Sequence, residues 1–126
     1  MFRQFLKSKI HRATVTDAQA DYEGSITIDA ELLKAADILP YEKVLIANLN
    51  NGSRIESYAI QGEAGSGVIC LNGGAARYGS RGDLVIIMSF AVLEENEIET
   101  HRPKVVYVDR QNRILSLKHT RPLESF

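Results

Sequence analysis

A small, mainly-β barrel with one or two short helices is the fold class that this sequence predicts. Short β-branched and apolar runs recur along the chain, separated by turns rich in Gly, Asn and Asp. A clear helix start signal occurs once, at Asp29. Leu84-Val85-Ile86-Ile87-Met88 is an almost unbroken apolar run, as expected of a strand buried on both faces. The 126 residues suit a single domain, 1–126, able to bury roughly two thirds of its unfolded surface around one core.

The elements follow in order. Residues 2–16 read as a strand with Lys7, Lys9 and His11 on one face and Leu6, Ser8 and Ile10 on the other. A turn at Gly24-Ser25 comes next. Asp29 is the expected N-cap of a short helix over 30–36, with Pro40 closing that region. Strands over 44–49 and 53–60 flank Asn50-Asn51-Gly52, a hairpin turn signal. A short strand over 68–71 leads into Asn72-Gly73-Gly74-Ala75-Ala76, a small-residue loop that starts a helical turn. The strongest strand spans 84–93, and two more, 104–108 and 114–117, flank a turn at 109–112. The tail after His119 is expected to be loosely held.

Composition excludes several function classes. Fifteen basic against sixteen acidic side chains lack the basic excess of a nucleic-acid binder. No apolar run reaches membrane-spanning length, and the N-terminus is too interrupted by charge for a signal peptide, so a cytoplasmic protein is expected. Neither a CxxC, an HExxH nor a P-loop motif occurs, and the three histidines are scattered, so no metal is expected. Cys70, the one cysteine, lies in an apolar run and reads as a small core residue without an activating neighbour.

Gly24-Ser25, within Tyr22-Glu23-Gly24-Ser25, carries the chemical interest. A serine hydroxyl in a tight turn can attack the preceding carbonyl. The resulting ester can eliminate to leave a pyruvoyl group, an electrophile made from the backbone. Gly-Ser is also a common loop pair. Other segments have equally plain alternatives. Lys9 and His11 fit a solvated strand face, Arg54 a surface pair with Glu56, Tyr58 amphipathic packing, and Asn72-Gly73-Gly74 a simple turn.

Lys9-Ile10-His11-Arg12, Tyr22-Glu23-Gly24-Ser25, Arg54-Ile55-Glu56-Ser57-Tyr58 and Asn72-Gly73-Gly74-Ala75-Ala76, in this order and spacing, resemble the pyruvoyl-dependent aspartate 1-decarboxylase family. Gly82-Asp83 before the apolar strand and Arg102-Pro103 extend the resemblance over nearly the whole chain. It implies a double-psi β-barrel and a homotetramer with active sites between subunits. It also implies autocatalytic cleavage into chains 1–24 and 25–126, and conversion of L-aspartate to β-alanine and CO2 for pantothenate synthesis through a Schiff base, without PLP. Ser25 would supply the pyruvoyl group. Ser57 would donate to the cleavage oxyanion; the family has threonine there, and serine keeps the hydroxyl without the β-branch that restricts χ1. Tyr58 would be the proton donor. Lys9 and Arg54, with the backbone amides of Gly73, Gly74 and Ala75, would bind carboxylates. His11, Tyr22 and Asn72 would support the site, Asn72 by orienting the cleavage loop or polarising its carbonyl. Gly24 would tolerate a strained backbone and leave room for attack.

One tension follows from strand geometry. Alternation puts Arg54 and Tyr58 on one face and Ser57 on the other, so a bulge, a strand end or a second subunit must bring Ser57 and Tyr58 to one site. Two further classes stay open at this level: a catalytically silent ligand-binding barrel, and a β-barrel interaction module, which the neutral charge and the absence of Trp disfavour.

Overall fold

The computed structural model describes residues 1–119; the expectation for the tail falls on residues 120–126, outside the described residues. Nine strands make one continuous ladder: β1 (Phe2–Thr14), β2 (Asp17–Gln19), β3 (Ser25–Asp29), β4 (Lys43–Asn48), β5 (Arg54–Gly62), β6 (Ile69–Asn72), β7 (Leu84–Glu94), β8 (Lys104–Val108) and β9 (Ile114–His119). Helix α1 (Ala30–Ala36) follows β3, a 3-10 helix (Gly73–Tyr78) follows β6, and α2 (Glu95–Ile98) follows β7. The mainly-β class with short helices therefore holds. Among the described residues no helix is long and apolar enough to cross a membrane.

The strand order is β2-β6-β3-β5-β4-β7-β1-β8-β9. The expected strand 2–16 is β1, ending at Thr14; β2 begins beyond it and sits far from β1 in that order, although only Val15 and Thr16 separate the two. Val15 and Thr16 make the crossing with backbone bonds to Asp83 and Ile69 (both 2.8 Å). Bulges bend β1 between Leu6 and Ser8 and between Ile10 and Ala13, where Arg12 takes a φ of 62°. Ser8 and Ile10 point inward, as alternation predicts, and the two buried hydroxyls of Ser8 and Ser89 satisfy each other at 2.6 Å.

The core gathers Ile10, Val15, Ile26, Ile28, Leu32, Ile69, Leu71, Val85, Ile87 and Val106, each at most 1% exposed. Burying such side chains contributes about 1.5–3 kcal/mol apiece. Helix α1 lays Leu32, Leu33 and Ala36 on this core. It ends at Asp37, whose left-handed backbone (φ 54°) turns its N–H back to Leu33 and Lys34, before Pro40 is reached.

Asp29 does more than cap α1. Its carboxylate, 3% exposed, accepts from the Glu31 (2.9 Å), Gly65 (3.0 Å) and Gly67 (2.8 Å) amides, tying the end of β3 to the loop before β6. Asp29→Ala strands three donors and is expected to destabilise the fold by about 2–4 kcal/mol, read as a lowered urea midpoint at unchanged m-value; Asp29→Asn, which keeps an acceptor oxygen, should lose less.

Candidate active site

The register of three strands builds the site. Ser25 faces Asn72 and Thr27 faces Cys70 across the antiparallel β3–β6 pair, while Asp17 and Gln19 of β2 face Cys70 and Asn72 from the other side. Strand period two then sends Ile26, Ile28, Ile69 and Leu71 into the core. Ser25, Thr27, Cys70, Asn72, Asp17 and Gln19 share the opposite face, where they line a cavity of about 490 Å³ with Tyr22 and Glu23. Ser25 and Asn72 are each 5% exposed.

Asn72 is the hub of that face. Its Nδ2 donates to Ser25 Oγ at 3.0 Å and Thr27 Oγ1 at 2.9 Å, and its Oδ1 accepts from Cys70 Sγ at 3.2 Å. The Asn72 amide thus meets the Ser25 hydroxyl itself. Ser25 Oγ also points toward the Glu23 carbonyl, a long contact of 3.4 Å. Cys70 is 8% exposed, the core-like burial expected of it. Burial, and secondarily the Asp17 carboxylate, push its thiol pKa up, so it keeps its proton.

A second cavity, of about 610 Å³, lies against Gly24 and is lined by Ser57, Tyr58, Gly74, Ala75, Arg77 and Tyr78 among others. The Gly24-Ser25 peptide therefore stands between two cavities, one at Gly24 and one at the Ser25 side chain. Ser57 and Tyr58 share the first without a bulge, since the β4–β5 register runs unbroken from Lys43↔Tyr58 to Ala47↔Arg54. The reason is a strand edge. β5 pairs with β3 only from Ala59 onward, so the edge over 54–58 is open on that side and both side-chain directions border the cavity. Tyr58 also stacks on Tyr41, with ring centroids 6.2 Å apart.

Gly73 is the glycine that the 22–24 turn requires. Its φ is +60°, and a Cβ there would lie 2.5 Å from Gly24 N, 2.6 Å from Tyr22 O and 2.7 Å from Gly24 Cα. Gly24 itself does not lie in the left-handed region, and an added Cβ would meet only Gly74 N at 3.9 Å. The strain expected at Gly24 belongs to Gly73 instead; the room expected at Gly24 is present.

Lys9, His11 and Arg54 line neither cavity. Lys9 and His11 lie on β1, three ladder steps from β5 and so about 14 Å away within the sheet. Arg54 lies four residues, about 13 Å, along β5 from Tyr58. His11 packs edge-on to Tyr107 (5.4 Å), and its Nδ1 is buried without a hydrogen-bond partner among the described residues. Burial, then the charges of Lys9 and Arg12, hold its pKa below the usual 6.5. Arg77, not singled out in the sequence, is the cation bordering the Gly24 cavity. Its position in the last turn of the 3-10 helix, behind the glycine loop, was the available signal.

The sequence matches the model of the family described as Aspartate decarboxylase over residues 1–115. It is 60% identical to the aspartate 1-decarboxylase of Dehalococcoides mccartyi over 114 residues, 90% of this chain and 92% of that one. It is also 60% identical to that of Syntrophobacter fumaroxidans (92% and 94% covered). To that of Listeria monocytogenes it is 59% identical (90% of each covered).

Gly73→Ala is expected to displace the 22–24 turn and cost at least about 2 kcal/mol, whereas Gly24→Ala leaves the fold intact; thermal unfolding and amide exchange at 22–25 read the contrast. His11 contributes a pH dependence of definite sign. Its folded pKa lies below its unfolded value, so stability is fully present above pH 6.5 and falls as the pH drops through the folded pKa. Urea unfolding between pH 7.5 and 5 should show this loss, and His11→Gln should flatten it.

Proposed function

The chain belongs to the aspartate decarboxylase family, and on that premise we propose how its own residues make and use the reactive group. It is a carboxy-lyase that removes a carboxylate of aspartate as CO2. The observation that carries the finer reading is the Gly24-Ser25 peptide standing between two cavities, with the Ser25 hydroxyl already held by Asn72.

The first stage is self-cleavage. Ser25 Oγ gives up its proton and bonds to the Gly24 carbonyl carbon. The negative charge gathers on the Gly24 oxygen, toward which the Ser57 hydroxyl donates from the cavity wall. The C–N bond then breaks, the nitrogen takes up a proton, and an ester remains. Loss of the Ser25 Cα proton expels Gly24 as a carboxylate. Water replaces the nitrogen of the resulting dehydroalanine, releasing ammonia and leaving a pyruvoyl group at the head of chain 25–126. Chain 1–24 ends at Gly24. The residues present suit such a group. Position 25 is nearly enclosed, the Asn72 side-chain amide donates to it, and Gly24 presents no side chain to the larger cavity.

Once formed, the pyruvoyl group supplies an electrophilic carbonyl for the substrate amine and an acceptor for the electron pair left by CO2. Tyr58, on the cavity wall, returns a proton to the substrate carbon, so that β-alanine is the product. The loop at Gly74 and Ala75, which Gly73 leads into, and the nearby Arg77 favour a substrate carboxylate at the same wall. Lys9, His11 and Arg54 line neither cavity in this chain, although Arg54 directly precedes Ile55, which borders the Gly24 cavity. They serve a neighbouring protomer's site, in a homotetramer whose active sites lie between subunits, with Tyr22 closing the turn side.

Intact mass spectrometry tests this reading. The purified chain should separate into fragments 1–24 and 25–126, the larger lighter by one ammonia than a fragment beginning with serine. Ser25→Ala should stay whole, and Ser57→Ala should cleave about a hundredfold more slowly. A wild-type chain that stays whole on prolonged incubation overturns the reading.

A further inference from the structure

We propose that Cys70 is a positioning residue for the cleavage at Gly24-Ser25: its thiol sets which end of the Asn72 amide faces the Ser25 hydroxyl. The inference rests on the self-cleavage reading above and extends it to a side chain that touches neither the scissile bond nor a substrate.

The Asn72 amide has a donor end and an acceptor end of nearly equal shape, and its hydrogen bonds decide which end points where. Two of its three partners are indifferent. The hydroxyls of Ser25 and Thr27 can each donate or accept, so either orientation of the amide satisfies them. Cys70 is not indifferent. A protonated thiol donates to a carbonyl oxygen better than its sulfur accepts from an amide N–H, so Sγ at 3.2 Å draws Oδ1 toward itself. Burial keeps that proton in place. Both Nδ2 hydrogens are thereby sent to the two hydroxyls.

The orientation matters at the reacting atom. An N–H aimed at Ser25 Oγ stabilises negative charge on that oxygen as it gives up its proton. It does so again when the same oxygen departs within the Gly24 carboxylate. The reversed amide would present a carbonyl oxygen to Oγ. That oxygen would hold the hydroxyl proton and repel the developing charge. The register makes the arrangement rigid, because Cys70 lies opposite Thr27 and Asn72 opposite Ser25, all on one face of β3–β6.

The test compares Cys70→Ser, Cys70→Ala and Cys70→Val, alone and with Asn72→Ala, by following loss of the uncleaved chain by intact mass and unfolding in parallel. Serine keeps a donor and should cleave within about twofold of wild type. Alanine and the similarly sized valine lack it and should cleave about five- to tenfold more slowly. Adding Cys70→Ala to Asn72→Ala should slow cleavage no further, since the thiol acts only through that amide. Three outcomes overturn the proposal: cleavage of both apolar variants at the wild-type rate, a serine variant as slow as alanine, or an undiminished Cys70→Ala effect without Asn72. The last two would mark Cys70 as packing alone. Each leaves wild-type cleavage intact, whereas a wild-type chain that never cleaves removes the self-cleavage reading itself.

Discussion

The pairing of β3 with β6 is the constraint from which the rest of the site follows. Ser25↔Asn72 and Thr27↔Cys70 are direct cross-strand neighbours, and directly opposed side chains have Cβ atoms about 4.5–5.5 Å apart. The intervening Ile26, Ile28, Ile69 and Leu71 are buried to 1% exposure or less. A one-residue slip would move those four large side chains out of the core and Ser25 into it. Core packing, worth several kcal/mol across the four, therefore holds Ser25 against its amide partner more firmly than the individual hydrogen bonds do. The same register places Gly73 immediately after Asn72, where its left-handed backbone lets the loop press against Gly24.

A second consequence concerns the edge of β5. Ladder pairing with β3 begins at Ala59, so the backbone before it borders open space on that side and is held by β4 alone. A side chain in the middle of a sheet belongs to one face. One at an open edge also looks sideways, which is how Ser57 and Tyr58 reach the same cavity in unbroken alternation. Alternation alone makes this a conflict, because strand periodicity contains no information about where a neighbouring strand stops.

Much of the fold was legible in the chain. Asp29 before Ala30-Glu31-Leu32-Leu33 marked α1, Asn50-Asn51-Gly52 marked the β4–β5 hairpin, and the apolar run at 84–88 marked β7. Short elements were not. β3 has only Ile26-Thr27-Ile28 between turn residues and a cap, and β2 has three residues, too few for a period to register. α2 begins at a reciprocal Glu94–Glu97 capping box in an acidic run that reads equally well as loop. Within the site, Gly24, Ser25, Ser57, Tyr58 and Asn72 were singled out from the chain. Their grouping around one peptide needed the register, and so did the separation of Lys9, His11 and Arg54 from it. Cys70 reads as a core residue by its neighbours Ile69 and Leu71; it is buried, but on the opposite face of β6, where it lines the cavity beside Asn72. Its bond to Asn72 belongs to tertiary structure, since residues two apart become partners only when their strand is extended and their face is walled by β3.

The proposed cut at Gly24-Ser25 would have a structural cost that the fold can absorb. Residues 1–24 carry β1, which pairs with β7 along most of its length and with β8 over Ser8–His11, and β2, which pairs with β6. They also carry Ile10, Ala13 and Val15, all fully buried. A fragment held by three ladders and a share of the core does not leave when one peptide bond is lost; the bond contributed chain connectivity, whose loss costs loop entropy that grows only logarithmically with length. Residue 25 gains freedom at its new end, but residues 26–29 remain fixed by β5, β6 and the Asp29 carboxylate. A new terminus there would thus be anchored within a strand while residue 25 borders the cavity. A self-processing site needs that combination, since a terminus held at 25 alone would fray into solvent, and one packed on both faces would admit no substrate.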